Sequence, residues 1–96
     1  MTPGGFAFGL HGVTVIGDAV TVIGRCYAGV LRVGAVFTSV VAPDGTAAPA
    51  HLAIVRIEAY QRDLDQIEEG LTARLTLRGP GAAALHAGAV LHGGAP

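Results

Sequence analysis

Residues 71–78 alternate without a break. Leu71, Ala73, Leu75 and Leu77 fall on one side, and Thr72, Arg74, Thr76 and Arg78 on the other. A period of two residues is that of a strand with one face buried and one in water. No helix sorts those residues in that way. The same period recurs upstream. Phe6, Phe8 and Leu10 alternate with Ala7, Gly9 and His11, and Val13 and Val15 carry the pattern to Gly17-Asp18, a turn pair. Val20, Val22, Gly24 and Cys26 mark a second run, with Thr21 and Ile23 on its other face. Val36 to Val41 is a third, ended by the turn residues Pro43-Asp44-Gly45.

Other segments read less plainly. Val30 to Gly34 looks like a short apolar connector. Between Thr46 and Gln61 two readings compete. Pro49 suits the first turn of a helix with Leu52, Val55 and Ala59 along one face. Alternatively Leu52, Ile54 and a stretch centred on Ile57 form a strand with Val55 on the opposite face. The β-branched run Ile54-Val55-Arg56-Ile57 favours the strand. After Gly79-Pro80-Gly81, residues 82–86 are expected to make a helical turn and 89–92 a last short strand.

The 96 residues contain 15 Gly and 5 Pro, which supply corners, and 51% apolar residues, which exclude disorder. With no Trp and only 3 Phe and 2 Tyr, the core volume must come from Val, Leu and Ile. Six or seven short strands with Gly and Pro turns and no long helix predict an all-β chain: a closed antiparallel β-barrel of six or seven strands. One domain is expected over 6–92, with 1–5 as a flexible leader and 93–96 as a flexible tail. The net charge of −1 leaves no polybasic surface to recruit nucleic acid or anionic lipid by charge alone.

No arrangement of side chains announces catalysis. The chain has no Lys, so a Walker A phosphate loop is absent and no nucleotide is expected. Gly79-Pro80-Gly81-Ala82-Ala83-Ala84 fits G-x-G-x-x-A, but no acid follows for a dinucleotide ribose and Pro80 stiffens the loop. Asp63, Asp65, Glu68 and Glu69 cluster before Leu71 without the ordered spacing of a calcium loop, and read as a solvated loop. His11, His51, His86 and His92 show no paired metal-ligand spacing. Cys26 is the single cysteine, which excludes an intrachain disulfide and fits a reducing cytoplasm. Ser39 and Cys26 both lie inside apolar runs, where a small buried residue is the default. No Lys or Arg precedes Arg25 to form the basic head of a signal peptide, and neither uncharged terminal stretch reads as a membrane span. Neither an enzyme nor a bound cofactor or metal is expected.

The turn and strand spacing resembles the second domain of translational GTPases such as elongation factor Tu. Gly24-Arg25 followed by Gly29-Val30-Leu31-Arg32-Val33-Gly34 is similar to that family's "GR-x-x-x-G-x-(I/L)-x-x-G" stretch. Leu75-Thr76-Leu77-Arg78-Gly79 looks like its "L-x-L-R-G", and Leu85-His86-Ala87-Gly88-Ala89-Val90-Leu91 like its "(I/L)-x-x-G-(D/Q)-V-L". The match covers residues 6–92, and its specificity lies in the order of the pieces. The resemblance implies the family's β-barrel without its GTPase domain. It also implies a face that, in the tRNA-carrying members, receives an aminoacylated 3′ end. An ungapped alignment puts Tyr60 at an aromatic position of that face, and Gln66 where those members carry Glu. Gln66 keeps hydrogen-bonding capacity without the charge. Gly17-Asp18-Ala19 replaces the usual Gly-x-Gly, and Ala35 and Ala89 stand where family members often carry polar residues.

Arg74 and Arg78 lie four apart in one strand and therefore on one outward face, beside Thr72 and Thr76. Together with Tyr60 and Gln66 they form the candidate contact set. The expected function is a non-enzymatic binding module that engages an unknown protein partner or a second copy of itself. The alternative is an RNA- or ribosome-associated accessory in translation.

Overall fold

The computed structural model describes residues 5–94. Nine strands occur among them: β1 (Gly5–Ile16), β2 (Ala19–Ala28), β3 (Val30–Arg32), β4 (Val36–Val41), β5 (Ala47–Ala59), β6 (Arg62–Leu64), β7 (Gln66–Glu68), β8 (Thr72–Arg78) and β9 (Val90–Gly94). A short 3-10 turn spans Ala82–Ala84. The strands pair in the order β4-β9-β1-β2-β8-β5-β6, and a further β4–β5 pairing joins the ends of that series. The result is a closed ring of six strands, every pairing antiparallel, with β6 as a spur on β5. This is the all-β antiparallel closure that the alternating runs predict.

The inward residues come from the alternation itself. In β8, Ala73, Leu75 and Leu77 are buried while Thr72, Arg74 and Arg78 are exposed. Phe8, Val22, Phe37, Leu52, Ile57, Leu75 and Leu91 from six strands meet in one cluster. Phe6 packs edge-on against Phe37, with centroids 5.5 Å apart at 74°, the geometry that ring quadrupoles favour. No polar side chain is buried among the described residues, so the interior is held by apolar burial and backbone ladders.

Between Thr46 and Gln61 the strand prevails over the helix, and Pro49 sits opposite Ser39, beside the register shift between Phe37 and Ser39. A missing N–H is tolerated at such an irregularity. Two readings need correction. Residues 30–33 are not a simple connector, and the acidic stretch 63–69 is not an open loop. Each contains a short strand, β3 and β7, which pair as a separate ribbon. Leu31 and Ile67 face each other there and are buried. Three-residue strands are too short to show a period, so their pairing was invisible in the sequence. Gly5 belongs to β1, and Gly93 and Gly94 to β9, where leader and tail were expected. The remaining leader and tail residues, 1–4 and 95–96, lie outside the described residues.

Candidate functional site

The outer wall made by β1, β2, β8 and β5 carries most of the exposed chemistry. Register sets it in rows across the strands. Thr14, Thr21, Thr76 and Arg56 form one row. Gly12, Ile23, Arg74 and Glu58 form the next, which reaches Asp63 on β6. These rows line a groove of about 490 Å³ whose walls include Ile16, Ile23, Arg56, Glu58, Arg74 and Thr76. A second groove of about 280 Å³ continues from it, lined by Tyr60, Gln61 and Thr72 and sharing Ile23, Glu58 and Arg74 with the first. The lining mixes exposed apolar side chains with charged and hydroxyl ones.

Two bulges position this lining. Strict alternation along β5 would send Arg56 inward with Leu52 and Ile54. A register shift between Ile54 and Arg56 turns both Val55 and Arg56 outward and restores Ile57 and Ala59 to the core. A shift between Leu10 and Gly12 does the same for β1, swinging Thr14 and Ile16 onto the groove face.

The charges are uneven in their pairing. Arg56 Nε donates to Asp63 Oδ1 at 2.8 Å, and its Nη2 lies 3.5 Å from Glu58 Oε2. The hydrogen bond to Asp63, then the two carboxylate charges, hold the Arg56 guanidinium above its ordinary pKa. Arg74 enters no ion pair among the described residues, although it stands opposite Glu58 in the ladder. The groove thus presents one neutralised guanidinium and one with free donors.

Tyr60 stands at the groove's end, in the two-residue turn between β5 and β6. Tyr60 and Gln61 have φ of 55° and 62°, the doubly left-handed turn that suits the twist of a hairpin. Asn-Gly is its usual content, and a bulky residue there is under strain. Tyr60 is 74% exposed.

Of the four candidates, the structure brings Tyr60 and Arg74 to one groove. Arg78 lies on the same outward face of β8, opposite Ala19 and Ala53, outside the lining of either groove. Gln66 is exposed on the separate ribbon opposite Arg32, also outside both. Arg56, Glu58, Ile23 and Thr76 line the groove and were missed. Thr76 and Ile23 were legible as outward residues of their strands, whereas Arg56 depends on a bulge. Among the described residues no three His, Cys, Asp or Glu side chains gather as a cation site. No helix among them is long and apolar enough to cross a membrane.

No family model matches the sequence, and no curated protein matches it by sequence. Similarity appears among solved structures. Translation elongation factor SelB from Methanococcus maripaludis in its apo form superposes with a TM-score of 0.73 at 18% identity, over 93% of this chain and 19% of that one. The same factor in complex with the GTP analogue GppNHp gives 0.73 at 16% identity, over 97% and 20%. GDP-bound aIF5B from Aeropyrum pernix gives 0.72 at 20% identity, over 96% and 15%. The chain spans about a fifth or less of the length of each. At these identities the likeness concerns fold, and the expected architecture is the one found: the chain folds as a translation-factor-like module, with the shape of a single domain of such GTPases.

Proposed function

We propose that the chain is a non-enzymatic binding module that receives a protein partner in the groove between β1, β2, β8 and β5. The observation that carries this reading is the placement of Tyr60. An exposed aromatic ring occupies a strained left-handed position where Asn or Gly would fit better, at the end of a groove that also holds the free donors of Arg74. Strain retained at a surface turn is a mark of function more than of folding. Tyr and Arg are the side chains most often central to protein recognition. The exposed Ile16 and Ile23 in its lining offer apolar contact, and the near-neutral charge of the chain favours a mixed polar and apolar partner over a polyanion.

A photo-crosslinking residue placed at Gln61 in the native host tests this. The partner it captures should be lost when Tyr60→Ala or Arg74→Glu is added, and capture at wild-type level from both variants would overturn the reading. A second reading, contact with RNA or the ribosome, is supported by the translation-factor fold and by the pairing of an aromatic ring with a guanidinium, which suits stacking on bases. Oligonucleotide binding that weakens steeply with salt and depends on Arg74 and Arg78 would select it over the first.

A further inference from the structure

The second half of β1 is an open edge. β9 pairs with β1 only from Gly5 to Gly9. Beyond that, Leu10 exchanges backbone hydrogen bonds with Gly88 and Ala89, at 2.8 Å each. From Gly12 to Ile16 the strand pairs with β2 on one side and with no other strand among the described residues. This edge is Gly-Val-Thr-Val-Ile: β-branched, uncharged and without Pro. Protein edges are normally guarded by charge or Pro along their length, and the bulge of β1, between Leu10 and Gly12, comes before this segment.

We propose that this edge pairs, antiparallel and two-fold symmetric about Thr14, with the same edge of a second copy of the chain. Three features of the strand favour its own copy as the occupant. First, the backbone groups are in phase. Gly17 has a φ of 62° and begins a two-residue turn, which closes on Ile16 and Ala19. Alternation from that pair turns the amides and carbonyls of Thr14 and Ile16 toward β2, and those of Val13 and Val15 out to the open edge. Centred on Thr14, Val13 of each copy meets Val15 of the other, and both exchange N–H to C=O bonds.

Second, the side chains are complementary in that register. Val15 is 65% exposed and Val13 only partly buried, and they become cross-strand neighbours. Ile16, 67% exposed, falls opposite Gly12, where a side-chain carbon would meet nothing within 4 Å. Third, the charges agree. The groups that border the edge are His11 at one end and Asp18 at the other. Two-fold pairing sets His11 of one copy near Asp18 of the next, so no like charges face each other. A symmetric edge otherwise confronts itself with its own charge.

The interface is small, so a weak, concentration-dependent dimer is expected. This inference does not rest on the groove's binding a partner, and Gly12, Thr14 and Ile16 belong to both surfaces. Sedimentation velocity of the full chain across micromolar to millimolar concentration should show a monomer–dimer equilibrium. Val15→Lys, at an exposed position, should weaken association about tenfold or more by placing an ammonium on the edge. Register is read separately by oxidation of variants that carry one cysteine each in a Cys26→Ala background. Thr14→Cys brings its two thiols to a non-hydrogen-bonded pair with Cα atoms about 4.5 Å apart, within disulfide range. It should form the cross-linked dimer readily, whereas Val15→Cys, facing Val13 of the other copy, should not. A chain that stays monomeric to millimolar concentration overturns the proposal. So does equal cross-linking of Thr14→Cys and Val15→Cys, which would mean random collision or another register.

Discussion

The ring of Tyr27 lies against the backbone of Gly9, in the space that a side chain at that position would fill. Gly9 in turn lies over Gly24, whose missing side chain would strike the Gly9 carbonyl and approach the Phe8 ring. The β1–β2 contact is therefore built in layers of aromatic ring, backbone and backbone. An alanine at Gly9 has only the far end of a flexible tyrosine to displace. An alanine at Gly24 must push a carbonyl. Gly24→Ala should lower stability by about 2–4 kcal/mol and Gly9→Ala by about 1 kcal/mol or less, read from urea midpoints.

Leu75 and Thr76 are adjacent in β8 and face opposite ways. Leu75 is fully buried in the central cluster, and Leu75→Ala should cost about 2–5 kcal/mol through lost burial and a residual cavity. Thr76→Ala, on the groove wall, should stay within about 0.5 kcal/mol of the wild type. Comparable losses at the two positions would contradict the inward and outward assignment of this strand.

Burial pushes the Cys26 thiol above its ordinary pKa. A backbone hydrogen bond at Ala28 opposes this, and the Glu69 charge adds a smaller upward push. A raised pKa means that the native state holds its proton more tightly than the unfolded chain. That contribution is complete below the unfolded value of about 8.5 and fades as pH rises through the folded one. The wild type should therefore lose stability above about pH 8.5 more steeply than Cys26→Ala does. Reaction with a thiol reagent at pH 7.5 should be slow in the native state and prompt in denaturant.

Asp44 Oδ1 accepts the Thr46 amide at 2.9 Å in the turn between β4 and β5. The backbone bond to Thr46, followed by its side-chain bond, holds the Asp44 carboxyl below the usual range. The sign is opposite to that of Cys26. The stabilising contribution is present above the unfolded carboxylate pKa and disappears as pH falls through the lower folded one. An NMR titration should place the Asp44 carboxyl below the usual carboxylate range. Asp44→Asn should make the acid limb of the stability curve less steep.

Tyr60 and Gln61 occupy a turn built for Asn and Gly. Tyr60→Asn with Gln61→Gly should raise stability by about 1 kcal/mol by relieving the left-handed strain. If the groove is the binding site, the same double variant should bind its partner more weakly. Gain of stability with no loss of binding would remove Tyr60 from the contact set.

The ring was legible because its strands are long enough to show a period. Leu71 to Arg78 completes four alternations, so its inward face could be read from residue types alone, whereas in β1 the reading holds for Phe8 and Leu10 and fails past the bulge, where Val15 is exposed. The ribbon of β3 and β7 was not, since Leu31 and Ile67 are single buried residues in three-residue strands. The candidate site was half legible. Arg74 follows from strand parity and Tyr60 from the resemblance, and they share a groove. Gln66 was placed by an ungapped alignment through a region where β6 and β7 form different pairings, and it lies on another surface. Arg56 faces out because of a bulge, and its bond to Asp63 spans the hairpin turn. Neither feature leaves a trace in hydrophobic periodicity.

Gly5 and Gly94 are ladder partners on neighbouring strands. The polypeptide therefore enters and leaves the ring at a single corner, running in opposite directions. A unit with its two connections side by side can be carried within a longer polypeptide as a pendant bead, since neither linker must cross its surface. The same adjacency allows circular permutation: a short tie between those two positions, with a new opening cut at the Asp44-Gly45 turn, should leave every ladder of the ring intact.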